Sequence, residues 1–218
     1  MSKRTEDPAA TQVDAEHYAD GYDALYRWVS YWYQIREVRR LRPERVLEIG
    51  VGNGTVSAAL AREGIAVTTL DFDPRLGPDV CADVRRLPFS PKEFDVVLCA
   101  QVLEHLPFDE LPVLLQEIRR VSRRHAVISL PCSRAGFFIV PTFLGAATAP
   151  KFSVRLPLPN RLCRLFFRQH EWEIDRLGFP LRKVRRAIKS AGWRIAREVT
   201  PLLNTYHRFF VLQKHATD

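Results

Sequence analysis

The residues with the most chemical content stand in one short stretch, Val46-Leu47-Glu48-Ile49-Gly50-Val51-Gly52-Asn53-Gly54-Thr55. An apolar, β-branched run ends in glycines at every second position, and an Ala/Leu-rich segment follows. This is the pattern of a buried parallel strand that turns sharply into a helix. Glycine permits positive φ and lets a ligand approach the backbone closely. Glu48, two residues before the first glycine, would repel a pyrophosphate and attract a cationic amino group. Asp71 follows 17 residues after Gly54, at the end of a second Val/Thr-rich run. A carboxylate on a rigid strand tip can accept both hydroxyls of a ribose. Far downstream, His170-Glu171-Trp172-Glu173 combines a histidine, whose ordinary pKa suits proton transfer near neutrality, with two acids that could orient it. The competing reading of that stretch is structural, with Trp172 docking a segment onto the sheet.

The elements that must position these groups alternate between strand and helix. Strands are expected at Arg45–Ile49, Ile65–Leu70, Val80–Ala82, Phe94–Ala100 and Ala126–Leu130, with helices between them. Phe94–Ala100 is continuously apolar, as a central strand covered on both faces should be. Asp109 is expected to cap the helix carrying Leu111, Leu114, Leu115, Ile118 and Val121. A helix over Pro180–Ala191 and two late strands, Arg194–Thr200 and Arg208–Lys214, complete a set of seven. Ahead of the first strand, Tyr18, Tyr22, Leu25, Tyr26, Val29 and Trp32 recur at spacings of three and four, which predicts a helix with an aromatic face. Residues 1–14 read as a polar tail and 15–218 as a single domain. Within it, 132–179 reads as an inserted lid: Pro131 to Phe179 has five prolines and no period-two strand, and loops of that length are usually functional or disordered.

Taken together, these blocks resemble the class I S-adenosylmethionine-dependent methyltransferases. The resemblance covers roughly residues 45–131 closely and the rest more loosely. It rests on the glycine bend, on Asp83-Val84-Arg85-Arg86-Leu87-Pro88-Phe89, which is similar to the family's D-x-x-x-L-P-F element, and on Phe94-Asp95-Val96 running to Leu103-Glu104-His105. It implies a Rossmann-like α/β fold: a seven-stranded, mostly parallel sheet with its last strand antiparallel and helices on both faces. It implies S-adenosylmethionine as cofactor, with Glu48, Gly50, Gly52, Asn53 and Gly54 beside its methionine part and Asp71 on its ribose. Phe72 would lie against the adenine, Asp83 would take the adenine amino group beside the backbone N–H of Val84, and Gln101 would border the cofactor. His170, in a segment similar to an H-x-W-E-I signature of small bacterial methyltransferases, is the expected general base. His105 either packs against the cofactor or braces its loop. A nicotinamide-dependent dehydrogenase fits poorly, because the chain lacks a Tyr-x-x-x-Lys pair.

Charge and cysteines narrow the partners. Residues 1–150 carry 18 Lys/Arg and 20 Asp/Glu (18 − 20 = −2), whereas 151–218 carry 15 and 5 (15 − 5 = +10). The basic C-terminal part suits an anionic partner or a solvated face. The expected acceptor is a small molecule or glycan, methylated on oxygen. A lipid-linked acceptor, with peripheral contact at an anionic membrane, ranks second, and RNA third, because no RNA-binding module is recognisable. The four cysteines form no CxxC pair, so no metal site or redox pair is expected from them. A polar N-terminus makes cytoplasmic location the expectation.

Overall fold

The computed structural model describes residues 24–133 and 170–215 in full, and the backbone of 136–137 and 156–157. Four helices are described: α1 (Leu25–Arg39), α2 (Thr55–Ala61), α3 (Leu111–Val121) and α4 (Leu181–Ser190). The strands are β1 (Arg45–Ile49), β2 (Ala66–Asp71), β3 (Val80–Cys81), β4 (Phe94–Ala100), β5 (Ser122–Pro131), β6 (Gly136–Phe137), β7 (Leu156–Pro157), β8 (Arg194–Val199) and β9 (His207–Gln213). Seven form one sheet in the order β3-β2-β1-β4-β5-β9-β8, while β6 and β7 pair as a separate small hairpin. The β1–β5 strands pair in parallel, and β9 is antiparallel to both of its neighbours.

Alternation along the central strands explains the two-sided core. Successive side chains point to opposite faces of a sheet. Val46, Val96 and Leu98 therefore pack with Tyr31 and Val38 of α1 and Val56 and Leu60 of α2. Leu47, Ile49, Val97 and Cys99 face the other way, toward Leu114, Leu115 and Ile118 of α3 and Val184 and Ile188 of α4. A strand buried on both faces must be apolar at every position, which is why β4 reads as an unbroken run.

Three sequence expectations change in detail. β5 begins at Ser122, four residues earlier than its apolar run suggested, because the register with β4 reaches Phe94↔Ser122. Asp109 does not cap α3; it sits inside a 3-10 turn over Phe108–Glu110 that leads directly into the helix. The aromatic stripe on α1 is not its buried face. Leu25, Tyr26, Trp28 and Trp32 are exposed, and the helix buries Ser30, Tyr31, Gln34, Glu37 and Val38 instead. Specific polar partners made that choice: Ser30 meets His207, and Glu37, fully buried, pairs with Arg197, Arg36 and Arg40. Tyr18, Tyr22, Cys163, the 1–14 tail and most of the 132–179 segment lie outside the described residues.

Candidate active site

β1 ends at Ile49 and the chain bends over the carboxyl edge of the sheet. Gly50 donates to Leu70 O at 2.8 Å and Gly54 to Val51 O at 3.0 Å. The bend needs glycine at Gly50 for two reasons. Its φ is +84°, and an added Cβ would lie 2.3 Å from Val102 Cγ2 on the neighbouring loop. Gly54, also left-handed, precedes the first turn of α2. Asn53 Oδ1 accepts from Thr55 N at 3.2 Å and so closes the same turn.

Asp71 ties this bend to the tip of β2. Its Oδ2 accepts from Val51 N and its Oδ1 from Asp73 N, both at 3.0 Å. Burial raises its pKa, and these backbone donors oppose that rise. Each oxygen keeps a lone pair, so the carboxylate can still receive hydroxyls. Phe72, next along, presents a ring that is 43% exposed.

A pocket opens beneath the bend. Glu48, Gly52 and Asn53 line one wall, Gln101 and Val102 another, and Ser30 and His207 close it from α1 and β9. Glu48 is buried, and burial pushes its pKa up to about 8 against hydrogen bonding from Ser57. Its Oε2 has no hydrogen-bond partner among the described residues. A buried carboxyl with one oxygen left without a partner, beside backbone that only glycine can form, fits the ammonium of an amino-acid ligand. Opposite, Ser30 Oγ and His207 Nδ1 are 2.8 Å apart, and Gln34 Nε2 donates to Ser30 Oγ at 3.2 Å. Burial pushes His207 down to about 3, so the imidazole there is neutral. Neither Ser30 nor His207 was among the sequence-derived site residues, because nothing in the spacing of residues 177 apart announces their contact.

The adenine-side assignments have a different setting. Asp83 Oδ1 accepts from Arg85 N at 2.8 Å and its Oδ2 pairs with the Arg85 guanidinium at 3.0 Å, which closes a local turn. Arg85 also pairs with Glu110 at 2.7 Å. Val84 is buried in the α3-side core. The structure therefore does not bring Asp83 into the pocket beneath the bend, although it shares the sheet edge with Phe72.

A second cluster lies beyond the end of β4. Gln101 has φ +57°, and in the orientation that satisfies both ends of its amide it donates to Glu104 Oε1 at 3.3 Å and accepts from Ser129 Oγ at 2.9 Å. Gln101 thus joins the pocket to Glu104, a carboxyl with no exposed surface whose Oε2 is unpaired among the described residues. Burial, reinforced by Glu173, pushes Glu104 up to about 8. The 170–174 segment packs on this loop: Trp172 is fully buried and donates from Nε1 to Leu106 O at 3.0 Å, with Phe108 edge-on at 4.9 Å. Docking by Trp172, the structural reading of this stretch, fixes where His170 sits.

His170 Nδ1 is 2.9 Å from Glu173 Oε1, which also accepts from Tyr206 OH at 2.9 Å. Ser133 Oγ donates to the other oxygen, Oε2. Burial alone would raise the Glu173 pKa, but the donors His170, Ser133 and Tyr206 outweigh it and hold the carboxylate low. Of the two acids that could orient His170, Glu173 makes the contact, and Glu171 is exposed, with its backbone N–H on Glu104 O. A carboxylate on Nδ1 sets the tautomer and leaves Nε2 for chemistry. His105 braces the ring, with centroids 5.0 Å apart. Tyr206 and Ser133 had no sequence signal; burial and the negative Glu173 beside it raise the Tyr206 pKa.

Residues 47–130 match the family described as "Methyltransferase domain". A ubiquinone biosynthesis O-methyltransferase of Pseudomonas aeruginosa is 34% identical over 88 residues, which cover 34% of this chain and 38% of that protein. The chain thus spans about two fifths of the length of that curated relative. In structure, the chain is similar to the Burkholderia thailandensis 1,6-didemethyltoxoflavin-N1-methyltransferase with bound S-adenosylhomocysteine, at a TM-score of 0.59 and 17% identity over 92% of this chain and 84% of that one. It is similar also to the Synechocystis magnesium protoporphyrin IX methyltransferase with bound S-adenosylmethionine, at 0.58 and 15% over 94% and 99%. Residues 47–130 are thus similar to the methyltransferase-domain family, and the fold as a whole is similar to that of methyltransferases solved with bound S-adenosylhomocysteine or S-adenosylmethionine.

Proposed function

We propose that the chain transfers the methyl group of S-adenosylmethionine to an oxygen of a small-molecule or glycan-type acceptor. The observation that carries this reading is the junction of two sites. A glycine-built pocket with a buried acid is joined through Gln101 to Glu104, whose carboxylate lies within 4.8 Å of a ring nitrogen of the carboxylate-held His170. When bound, the sulfonium supplies an electrophilic methyl, so the protein's work is alignment and exclusion of water. Glu48 would take the ammonium, Asp71 the ribose hydroxyls and Phe72 a face of the adenine. Asp83 and Val84 would have to serve from the neighbouring loop. A hydroxyl is a poor nucleophile until its proton is drawn off, and the His170–Glu173 pair suits that task. The ubiquinone-pathway relative is named for an O-methylation, which agrees with an oxygen acceptor.

A lipid-linked acceptor is the second reading, favoured by one observation. The outer face of α1 exposes Trp28 and Trp32, with the Arg36 guanidinium 4.7 Å above the Trp32 ring. Such an aromatic and basic face suits the surface of an anionic bilayer. Among the described residues no helix is long and apolar enough to cross a membrane.

Calorimetry tests the donor: S-adenosylmethionine should bind and NAD should not. Asp71→Ala should weaken that binding by about 10-fold or more, the worth of a charge-assisted hydrogen bond; unchanged affinity would remove Asp71 from the site. Incubation with methyl-labelled donor and fractionated extract then identifies the acceptor. Label confined to RNA or protein would overturn the oxygen-acceptor reading, and label in lipid would favour the second.

A further inference from the structure

We propose that Glu104, His105 and His170 hold a divalent transition-metal ion, whose open positions take the acceptor hydroxyl. Each of the three offers a ligand atom, and these atoms all lie within 4.8 Å of one another. Bonds of 2.0–2.2 Å to a tetrahedral ion need ligands about 3.4 Å apart, so a small closing movement of the side chains completes the set. One carboxylate and two imidazoles are a donor set that zinc, manganese and cobalt accept, and magnesium and calcium do not favour.

Two independent features point to an ion rather than to a plain hydrogen-bonded cluster. Glu104 has no exposed surface, and its Oε2 lacks any hydrogen-bond partner among the described residues. Burying a carboxyl oxygen with nothing to bind is costly, and a cation in the cluster removes that cost. The second feature is the support behind His170. Its Nδ1 lies on the Glu173 carboxylate, which Tyr206 OH and Ser133 Oγ hold in turn. A histidine that ligates a metal characteristically donates its other ring N–H to a carboxylate, which fixes the tautomer and strengthens the ligand. Here Nδ1 is held in that way, and Nε2 would be the donor to the ion. Glu104 and Glu173 together would also balance a double positive charge.

Three protein ligands leave room for a further one. With its Nε2 on the ion His170 serves as a ligand in place of the general base, and a hydroxyl bound there loses its proton to solvent more readily, because the ion stabilises the oxygen anion. That oxygen then forms its bond to the methyl carbon as the carbon–sulfur bond breaks, and the sulfonium becomes a neutral thioether. The acceptor's part in this rests on the methyl-transfer reading above; the ion site itself does not.

The test is direct. The full chain, stripped with a chelator and dialysed, is titrated with Co2+ and followed by calorimetry and by its visible absorption bands. One equivalent should bind, with the spectrum of a nitrogen- and oxygen-ligated ion. Glu104→Gln and His170→Gln should each weaken binding by at least about 100-fold, and Glu173→Ala by about 10- to 100-fold. Because Glu104 is fully buried, the partly exposed His170 provides a variant less exposed to misfolding, and retained S-adenosylmethionine binding checks the fold of each. No stoichiometric binding by the wild-type chain, or equal binding by the folded variants, overturns the site. Stoichiometric Co2+ binding without label transfer to any extract fraction would leave the ion site standing and overturn methyl transfer. Label transfer at full rate by chelator-stripped protein would do the reverse to the acceptor role of the ion.

Discussion

Glu48, proposed above to take the cofactor's ammonium, would by that role set both the ligand and its dependence on pH. Its position at the end of a strand covered on both faces buries it, and burial, only partly offset by hydrogen bonding from Ser57, favours the neutral acid. Pairing with an ammonium requires the charged form. With a free-state pKa of about 8, the acid must therefore release close to one proton per ligand at pH 7. The sign follows: affinity for S-adenosylmethionine should rise with pH toward about 8, by up to about tenfold per unit, and fall above it as the ligand's own ammonium loses its proton. Calorimetry in buffers of different ionisation enthalpy measures the released proton, and heats independent of buffer would show that Glu48 does not meet the ammonium. Glu48 was legible in the sequence because an acid inside an apolar strand has few explanations. Its elevated pKa was not legible, since that depends on what the other elements leave uncovered.

At the scale of elements, the decisive piece is the short irregular segment 170–179, which carries half of the second cluster. It has no regular secondary structure across its first residues, and it is held by one large anchor, Trp172, against the loop after β4. Trp172→Ala should cost about 3–5 kcal/mol of stability, read as a lower urea midpoint. It should also abolish label transfer while sparing donor binding, because His170 and Glu173 lose their anchor and the glycine bend does not. Loss of donor binding in a folded variant would instead mean that the two sites are one unit. The α1 helix teaches the converse lesson. Its period was legible, but the face it buries was not, because Ser30 and Glu37 have dedicated partners on β9 and β8. A hydrogen bond or ion pair to a specific buried group can outweigh the burial of an aromatic ring left at the surface.

Across the whole molecule, α1 closes the pocket by meeting the last strand, and His207 is the joint. A buried neutral imidazole with a pKa near 3 resists protonation that the unfolded chain accepts near 6.5. The folded form therefore keeps the full contribution of this group above pH 6.5 and loses it as the pH falls toward 3. By pH 5 the loss should be about 2 kcal/mol relative to pH 7. His207→Asn can still meet Ser30 and does not titrate, so the difference in melting temperature between the two proteins should shift in favour of the variant on acidification. Parallel profiles would mean that His207 is not buried as a neutral group. The succession of strands and helices along the chain, the glycine bend and the acids at the strand tips could be read from residues alone, because each depends on local period, backbone freedom or a strand's end. The joining of Ser133 and Tyr206 to the His170–Glu173 pair, the reach of His207 to Ser30 and the convergence of His170 with Glu104 and His105 came only from the folded chain. Those contacts join residues far apart in sequence, and no local pattern encodes a partner that only the sheet brings near.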